Sequence, residues 1–143
     1  MNLEKIFNER IADFAILYFK LHRFHWFVQG QDFHVFHKLY EELYNEATSL
    51  IDEFAERLLS INGTPAATIK SYLALATISE EGNEVYPKDI AKSLINDYSH
   101  IAEKLKTGIT AAEDVNDPAT ADLFTVTIAQ LEKHIWMLSQ TLK

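Results

Sequence analysis

The sequence has 143 residues, the length of a single domain, and its 13 basic and 21 acidic side chains give a formal net charge of −8. It contains no cysteine, which excludes disulfides, thiolate metal sites and cysteine nucleophiles. The acidic balance argues against nucleic acid as the main partner, because duplex binding depends on neutralising phosphates. No apolar run approaches the roughly 20 residues that span a bilayer, and the N-terminus lacks a signal-peptide pattern. We therefore expect one soluble, cytoplasmic domain over residues 1–143.

The first two predicted elements are long helices. The chain has only four glycines and three prolines, so few turns are expected. A seam with alternating steps of four and three residues runs from about Leu3 to Val28, and Gly30 is expected to end this helix. Asp32 is a plausible N-cap for a second helix that continues without glycine or proline to Ile61, roughly 45 Å in length.

The second half of the chain predicts two more long helices after a long connection. Residues 64–86 break the periodic pattern but include a short helix around Tyr72 to Leu75. The third long helix begins at Pro87, and Asp117-Pro118 predicts the cap and first turn of the fourth. We therefore predict an all-α four-helix bundle with a short extra helix in its long crossover, which is ferritin-like connectivity.

Two pairs of potential metal ligands lie four residues apart on the second helix, so each pair shares a face: His37 with Glu41, and Asp52 with Glu56. On a helical wheel these four lie roughly 100–200° from Phe36, on the side away from the bundle core. Such a polar face is usually solvated. The same face also carries Leu59, with Ile51 and Tyr44 at its margin, which suggests that something covers it. Both interpretations remain open on this pattern.

Distance restricts how these side chains could share a metal ion. Glu41 and Asp52 are eleven residues apart, roughly 16 Å along the helix axis, so one metal centre cannot use both from the same chain. A two-fold dimer removes the difficulty, because an isologous contact brings the first pair of one chain to the second pair of its copy. This hypothesis predicts that a monomeric variant loses tight metal binding although every ligand remains in the chain.

Several segments resemble the Dps miniferritins (DNA protection during starvation), a branch of the ferritin-like superfamily. The resemblance is carried by His25-Trp26-Phe27-Val28-Gln29-Gly30, Phe33, His37, Glu41, Asp52 to Arg57, and Gly63-Thr64-Pro65. The spacing of twelve, four, eleven and four from His25 to Glu56 matches the family's ferroxidase ligands. The resemblance implies a dodecameric shell with inter-subunit sites, in which His25, His37 and Glu41 face Asp52 and Glu56 of the partner subunit.

The resemblance also implies the chemistry. Family members oxidise Fe(II), preferably with hydrogen peroxide, and store ferric oxyhydroxide in the shell, which protects against oxidative stress. Imidazole and carboxylate suit iron, expected at two ions per site, and zinc can occupy the same ligands. Many members have aspartate at the position of Glu41, so the longer glutamate could change the metal spacing. Trp26 would lie beside the site, either in electron transfer or radical quenching or simply in packing.

The predicted connection between the third and fourth helices contains an acidic cluster, Asp114, Asp117 and Asp122. By resemblance this region lines the three-fold pores, where acidic side chains would concentrate Fe²⁺. The alternative is that Asp117 caps the fourth helix and that Asp122 lies on a solvated face.

Three other functions compete with the ferroxidase interpretation. The first is a nucleoid DNA-binding protein with little iron chemistry, which the acidic charge and the lack of a lysine-rich tail disfavour. The second is a metal site inside one bundle, which needs Glu-x-x-His motifs that the sequence lacks. The third is a metal-free bundle. Of the other side chains, His22 and His34 are expected at the surface, with an outer shell around the metal as the alternative. His100 and His134 are expected in structural roles, and Met137 in the bundle packing.

Overall fold

The computed structural model describes residues 2–143, and it is helical without strands over that range. Its helices are α1 (Leu3–Phe27), α2 (Phe33–Ser60), α3 (Ile69–Leu75), α4 (Pro87–Asp114) and α5 (Pro118–Gln140). The prediction of four long helices and one short crossover helix is confirmed. No helix in the described range is both long and apolar enough to cross a membrane.

The helix ends follow the capping residues with one exception. The Asn2 side chain accepts hydrogen bonds from the backbone amides of Glu4, at 2.9 Å, and Lys5, which begins α1. Asp117 caps α5 as expected, by accepting from the amide of Thr120 at 3.1 Å. Asp32 occupies the N-cap position of α2, but its side chain makes no capping hydrogen bond. One of the free backbone amides in the first turn of α2 is paired by the backbone: the amide of Phe33 donates to the carbonyl of Gly30.

The core is formed by two antiparallel hairpins, α1–α2 and α4–α5, which pack through a cluster of phenylalanine rings. Phe7 contacts Phe54 and Phe124 with ring centroids 5.8 and 5.1 Å apart, and Phe14 contacts Phe54 at 5.1 Å. All four rings are fully buried. Edge-on and tilted aromatic pairs of this kind stabilise a core beyond their buried area. These contacts hold the two hairpins together and determine which face of α2 points away from the core.

A buried polar cluster anchors the crossover to α1. Asp13 is fully buried and accepts hydrogen bonds from Arg10 at 3.1 Å and from the Thr77 hydroxyl at 2.7 Å. His100 of α4 lies 2.8 Å from that same hydroxyl, which agrees with its expected structural role. Because buried charges need partners, this cluster fixes where the crossover passes over the bundle.

Candidate metal centre

The predicted histidine ligands meet where α1 ends and α2 begins. The turn at Gly30, which has a φ of +120°, returns the chain so that α2 runs back along α1. His25, in the last turn of α1, then stacks on His37, with ring centroids 3.6 Å apart and planes inclined by 15°. Two histidines twelve residues apart in the sequence are therefore in direct contact.

Each of these histidines is oriented by the backbone of the other. The Nδ1 of His25 lies 2.6 Å from the carbonyl oxygen of His37, and the Nδ1 of His37 lies 2.7 Å from the carbonyl oxygen of His25. A carbonyl oxygen can only accept, so both Nδ1 atoms carry a proton, and Nε2 of each ring is left as the nitrogen that could bind a metal ion. Metal-binding histidines are commonly held by this type of hydrogen bond on the other ring nitrogen.

Other aromatic rings enclose the pair. Phe33 stacks on His37 at 5.0 Å, and Tyr44 meets His25 edge-on at 5.4 Å. Tyr44 also stacks on His22 at 3.8 Å. On the helical wheel, Tyr44 was predicted only at the margin of the polar face of α2. Its position seven residues after His37, two helical turns along one face, was the available signal.

The three predicted carboxylate ligands lie on the outward face of α2. The Glu41 Oε1 atom is 3.9 Å from the Nε2 atom of His25, and the Glu41 side chain is half exposed. Asp52 and Glu56 are exposed further along the same helix. Within one chain, no three histidine or acidic side chains of residues 2–143 form a group that could hold a metal ion. The structure thus stacks His25 on His37 and places Glu41 3.9 Å from His25, and it leaves Asp52 and Glu56 apart from them.

Large apolar side chains are exposed both next to the histidine pair and at the far end of α2. Trp26 is 63% exposed and its ring contacts that of His22, while Leu59 is 57% exposed on α2. His22 is partly buried between Tyr18 and Tyr44, so the expectation of a plain surface histidine is corrected for this residue.

Burial and nearby charge alter the acidity of Tyr44. Desolvation is the largest effect that raises the pKa of its hydroxyl, and the carboxylate of Glu41 and the neighbouring Tyr18 raise it further. Tyr44 is therefore a neutral hydroxyl at physiological pH.

One carboxylate of the acidic cluster between α4 and α5 is hydrogen-bonded within the chain. Asp117 accepts from Arg57 of α2 at 2.8 Å and from the hydroxyl of Thr120. Burial raises the pKa of Asp117, but the hydrogen bonds from Thr120 and the charge of Arg57 outweigh it and lower the pKa overall. Asp114 and Asp122 are exposed. The pore assignment of all three remains a prediction.

The remaining singled-out residues lie away from the centre. His34 is exposed at the surface, as expected. His134 of α5 pairs with Glu46 of α2, which is a structural contact between the two hairpins. Met137 is 50% exposed, so the expectation that it packs in the bundle is wrong for the single chain. It lies on the face of α5 that borders the groove to α2.

Comparison with known proteins agrees with this architecture. The family model for the ferritin-like domain matches residues 4–143. The DNA protection during starvation protein 2 of Bacillus anthracis is 40% identical over 134 residues, which cover 94% of this chain and 92% of that protein. The crystal structure of a Dps protein from Bacillus brevis superposes with a TM-score of 0.95 at 40% identity, over 99% of this chain and 95% of that one. A Vibrio cholerae Dps structure, described as a member of a broad superfamily of ferritin-like diiron-carboxylate proteins, gives 0.94 at 28% identity, over 99% and 89% of the two chains.

Proposed function

Because the chain belongs to the ferritin-like family, and within it to the Dps proteins, we propose that it is a miniferritin that oxidises Fe(II) and stores the ferric product. The observation that carries the proposal is the His25–His37 pair. Backbone carbonyls hold both Nδ1 protons, and the carboxylate of Glu41 lies 3.9 Å from the Nε2 of His25. Imidazole nitrogen and carboxylate oxygen together are a donor set that suits ferrous iron, while carboxylate stabilises the ferric product.

In this proposal a two-fold partner completes each site. Glu41 and Asp52 of one chain are too far apart along α2 to bind one ion, at roughly 16 Å. Antiparallel contact between two copies of α2 brings Asp52 and Glu56 of the partner subunit to His25, His37 and Glu41. The exposed Leu59 and Trp26 would be covered by the same contact, which would explain large apolar side chains on a face that also carries carboxylates.

The reaction that we propose balances with hydrogen peroxide as the oxidant. Two ferrous ions each give up one electron, and one peroxide takes both electrons and two protons to form two waters. Because both electrons leave together from paired ions, no hydroxyl radical is released. The ferric product would accumulate as oxyhydroxide inside a dodecameric shell, giving iron storage and protection against oxidative stress. Zinc could occupy the same ligands, and it would not be oxidised.

Replacing the proposed ligands tests this function. We expect Asp52→Ala and His25→Ala to slow peroxide-driven Fe(II) oxidation by at least about tenfold, since even outer ligand-orienting groups change metal affinity or activity by about 10–100-fold. Glu53→Ala is the matched control, because Glu53 is an exposed carboxylate adjacent to Asp52 on another face of α2. Stopped-flow absorbance of the ferric product measures the rates, and light scattering confirms assembly. Unchanged rates in both ligand variants would contradict the site.

A further inference from the structure

The chain leaves α2 through a tight turn at Asn62 and Gly63. Asn62 has a φ of +67°, in the left-handed region that asparagine adopts more readily than most residues. The amide of Gly63 donates to the carbonyl oxygen of Leu58 at 2.9 Å, and the amide of Asn62 donates to that of Leu59 at 3.0 Å. These two hydrogen bonds form a Schellman motif, which satisfies carbonyl groups in the last turn of α2.

Close packing requires a glycine directly after this asparagine. A Cβ atom added at Gly63 would lie 2.8 Å from Cγ of Leu58 and closer still to its Cδ1 atom. The Leu58 side chain is buried, so it has no room to move aside. Because asparagine suits the left-handed position and only glycine fits after it, the fold itself selects the sequence Asn62-Gly63.

An asparagine followed by glycine is chemically labile. The backbone nitrogen of the glycine can attack the Cγ atom of the asparagine side chain, which forms a C–N bond and expels ammonia. The product is a five-membered succinimide ring, and water opens it at either carbonyl to give aspartate or isoaspartate. The reaction needs only water. A side chain on the following residue hinders the attack, and glycine has none.

We propose that Asn62 is a site of spontaneous deamidation, and that the closed end of α2 restrains the reaction so that it proceeds only when this turn opens. The attacking nitrogen of Gly63 holds its proton in the bond to Leu58, and that bond must break before the nitrogen reaches the exposed Asn62 side chain. A further bond holds the next residue, since the amide of Thr64 donates to Oε1 of Glu4 at 2.6 Å. Helix ends open more easily than helix interiors.

Deamidation would weaken the turn that restrains it. Aspartate at position 62 adds a negative charge at the C-terminal end of α2, where the helix dipole disfavours it. Isoaspartate lengthens the backbone by one carbon atom, so the bonds to Leu58 and Leu59 could not both be kept. A modified chain therefore carries a permanently loosened end of α2.

The end of α4 has the same geometry and provides an internal control. Asn116 has a φ of +57°, and the amide of Asp117 donates to the carbonyl oxygen of Ala112 at 2.9 Å. The residue after this asparagine carries a side chain, which hinders the attack. We therefore expect Asn62 to deamidate and Asn116 to remain largely unmodified.

Peptide mapping by mass spectrometry tests the proposal, by measuring deamidation of each asparagine in the assembled protein and in the full chain unfolded in guanidinium chloride. We expect residue 62 to react at least about tenfold more slowly in the folded protein, because the turn must open first. Glu4→Ala removes the acceptor of the Thr64 amide, so it should raise the folded rate by about threefold or more and leave the unfolded rate unchanged. Glu9→Ala is the matched control, since it removes a half-buried carboxylate from the same helix.

Hydrogen exchange at the Gly63 amide of the wild-type protein measures the opening of the turn without any variant. The folded rate of deamidation should equal the unfolded rate reduced by the protection of this amide. Equal folded and unfolded rates at residue 62, or equal rates at residues 62 and 116 in the unfolded chain, would overturn the proposal. So would an unchanged folded rate in an assembled Glu4→Ala protein, or no product at residue 62 in any folded protein after the unfolded chain has reacted completely.

Discussion

At the scale of single residues, the structure separates what spacing can predict from what it cannot. Helical periodicity predicted that His37, Glu41, Asp52 and Glu56 share one side of α2. The assignment of these four and His25 as ligands came from the family resemblance and stays a prediction. The two reciprocal hydrogen bonds between His25 and His37 cannot be predicted from residue spacing, because they depend on how closely the end of α1 approaches the start of α2. For the same reason, the approach of Glu41 to His25 could not be foreseen.

Asp117 provides a residue-scale prediction with a defined pH dependence. Its folded pKa lies below the usual value of about 3.9, so its stabilising effect is present above that value and is lost as the pH falls through the folded pKa. Asparagine caps helices about as well as aspartate, so Asp117→Asn removes mainly the charge paired with Arg57. We expect Asp117→Asn to lower stability by up to about 1 kcal/mol at pH 7, and by progressively less below about pH 4.

Thermal unfolding followed by circular dichroism at several pH values measures this difference. Asp122→Asn is the control, because Asp122 is exposed on the same helix and should change stability little at any pH. If the stability difference between wild type and Asp117→Asn grew as the pH fell, the predicted direction of the pH dependence would be wrong.

At the scale of helices, the sequence predicts the elements well and their polar contacts poorly. Scarce glycine and proline separate long periodic segments, which is why the helices begin and end close to the predicted positions. Asp32 is the N-cap residue of α2 as predicted, but its side chain makes no capping hydrogen bond, since that bond also requires the right local backbone geometry. The contacts Arg57–Asp117 and His134–Glu46, which join α2 to α5, connect residues far apart in the sequence and carry no periodic signal.

Close packing between α4 and α5 gives an element-scale prediction. A Cβ atom added at Gly108 would lie 2.8 Å from Cε2 of Phe124 and 3.2 Å from Cγ2 of Ile6. Phe124 is fully buried, so its ring cannot move without disturbing the core. Overpacking costs about 1–3 kcal/mol, while replacing a helical glycine by alanine returns up to about 1 kcal/mol. We expect Gly108→Ala to lower the Tm of the protein.

Thr107→Ala is the matched control for this effect. Thr107 is exposed on the same helix, so the alanine gains helix propensity without a clash and should leave the Tm unchanged or slightly higher. An increase in Tm for Gly108→Ala equal to that of the control would mean that the interface between α4 and α5 has room for the extra carbon.

At the scale of the whole molecule, the single chain holds only part of the proposed site. Of the proposed ligands, His25 contacts His37 and approaches Glu41 at the α1–α2 turn, and the two others lie exposed on the outward face of α2. If Glu41 and Asp52 bind one metal centre, their distance along α2 requires a second copy, because that distance follows directly from helix geometry. The proposed number of twelve copies rests on the family resemblance, since nothing in one chain determines it.

The net charge of the whole molecule indicates which ligands it attracts and which it repels. With a net charge of −8 per chain, an assembled shell carries a large negative charge. Such a surface repels phosphate backbones and attracts Fe²⁺. Iron handling therefore fits the electrostatics of the whole protein better than DNA binding does.

The central proposal is that this protein assembles into a closed shell, oxidises iron at sites between subunits and stores it inside. The most direct test is size-exclusion chromatography with light scattering and iron detection, after Fe(II) and then hydrogen peroxide are added to the metal-free protein. We predict that soluble ferric iron elutes with a particle whose mass is close to that of twelve chains. A monomer or dimer that elutes without iron would contradict the account.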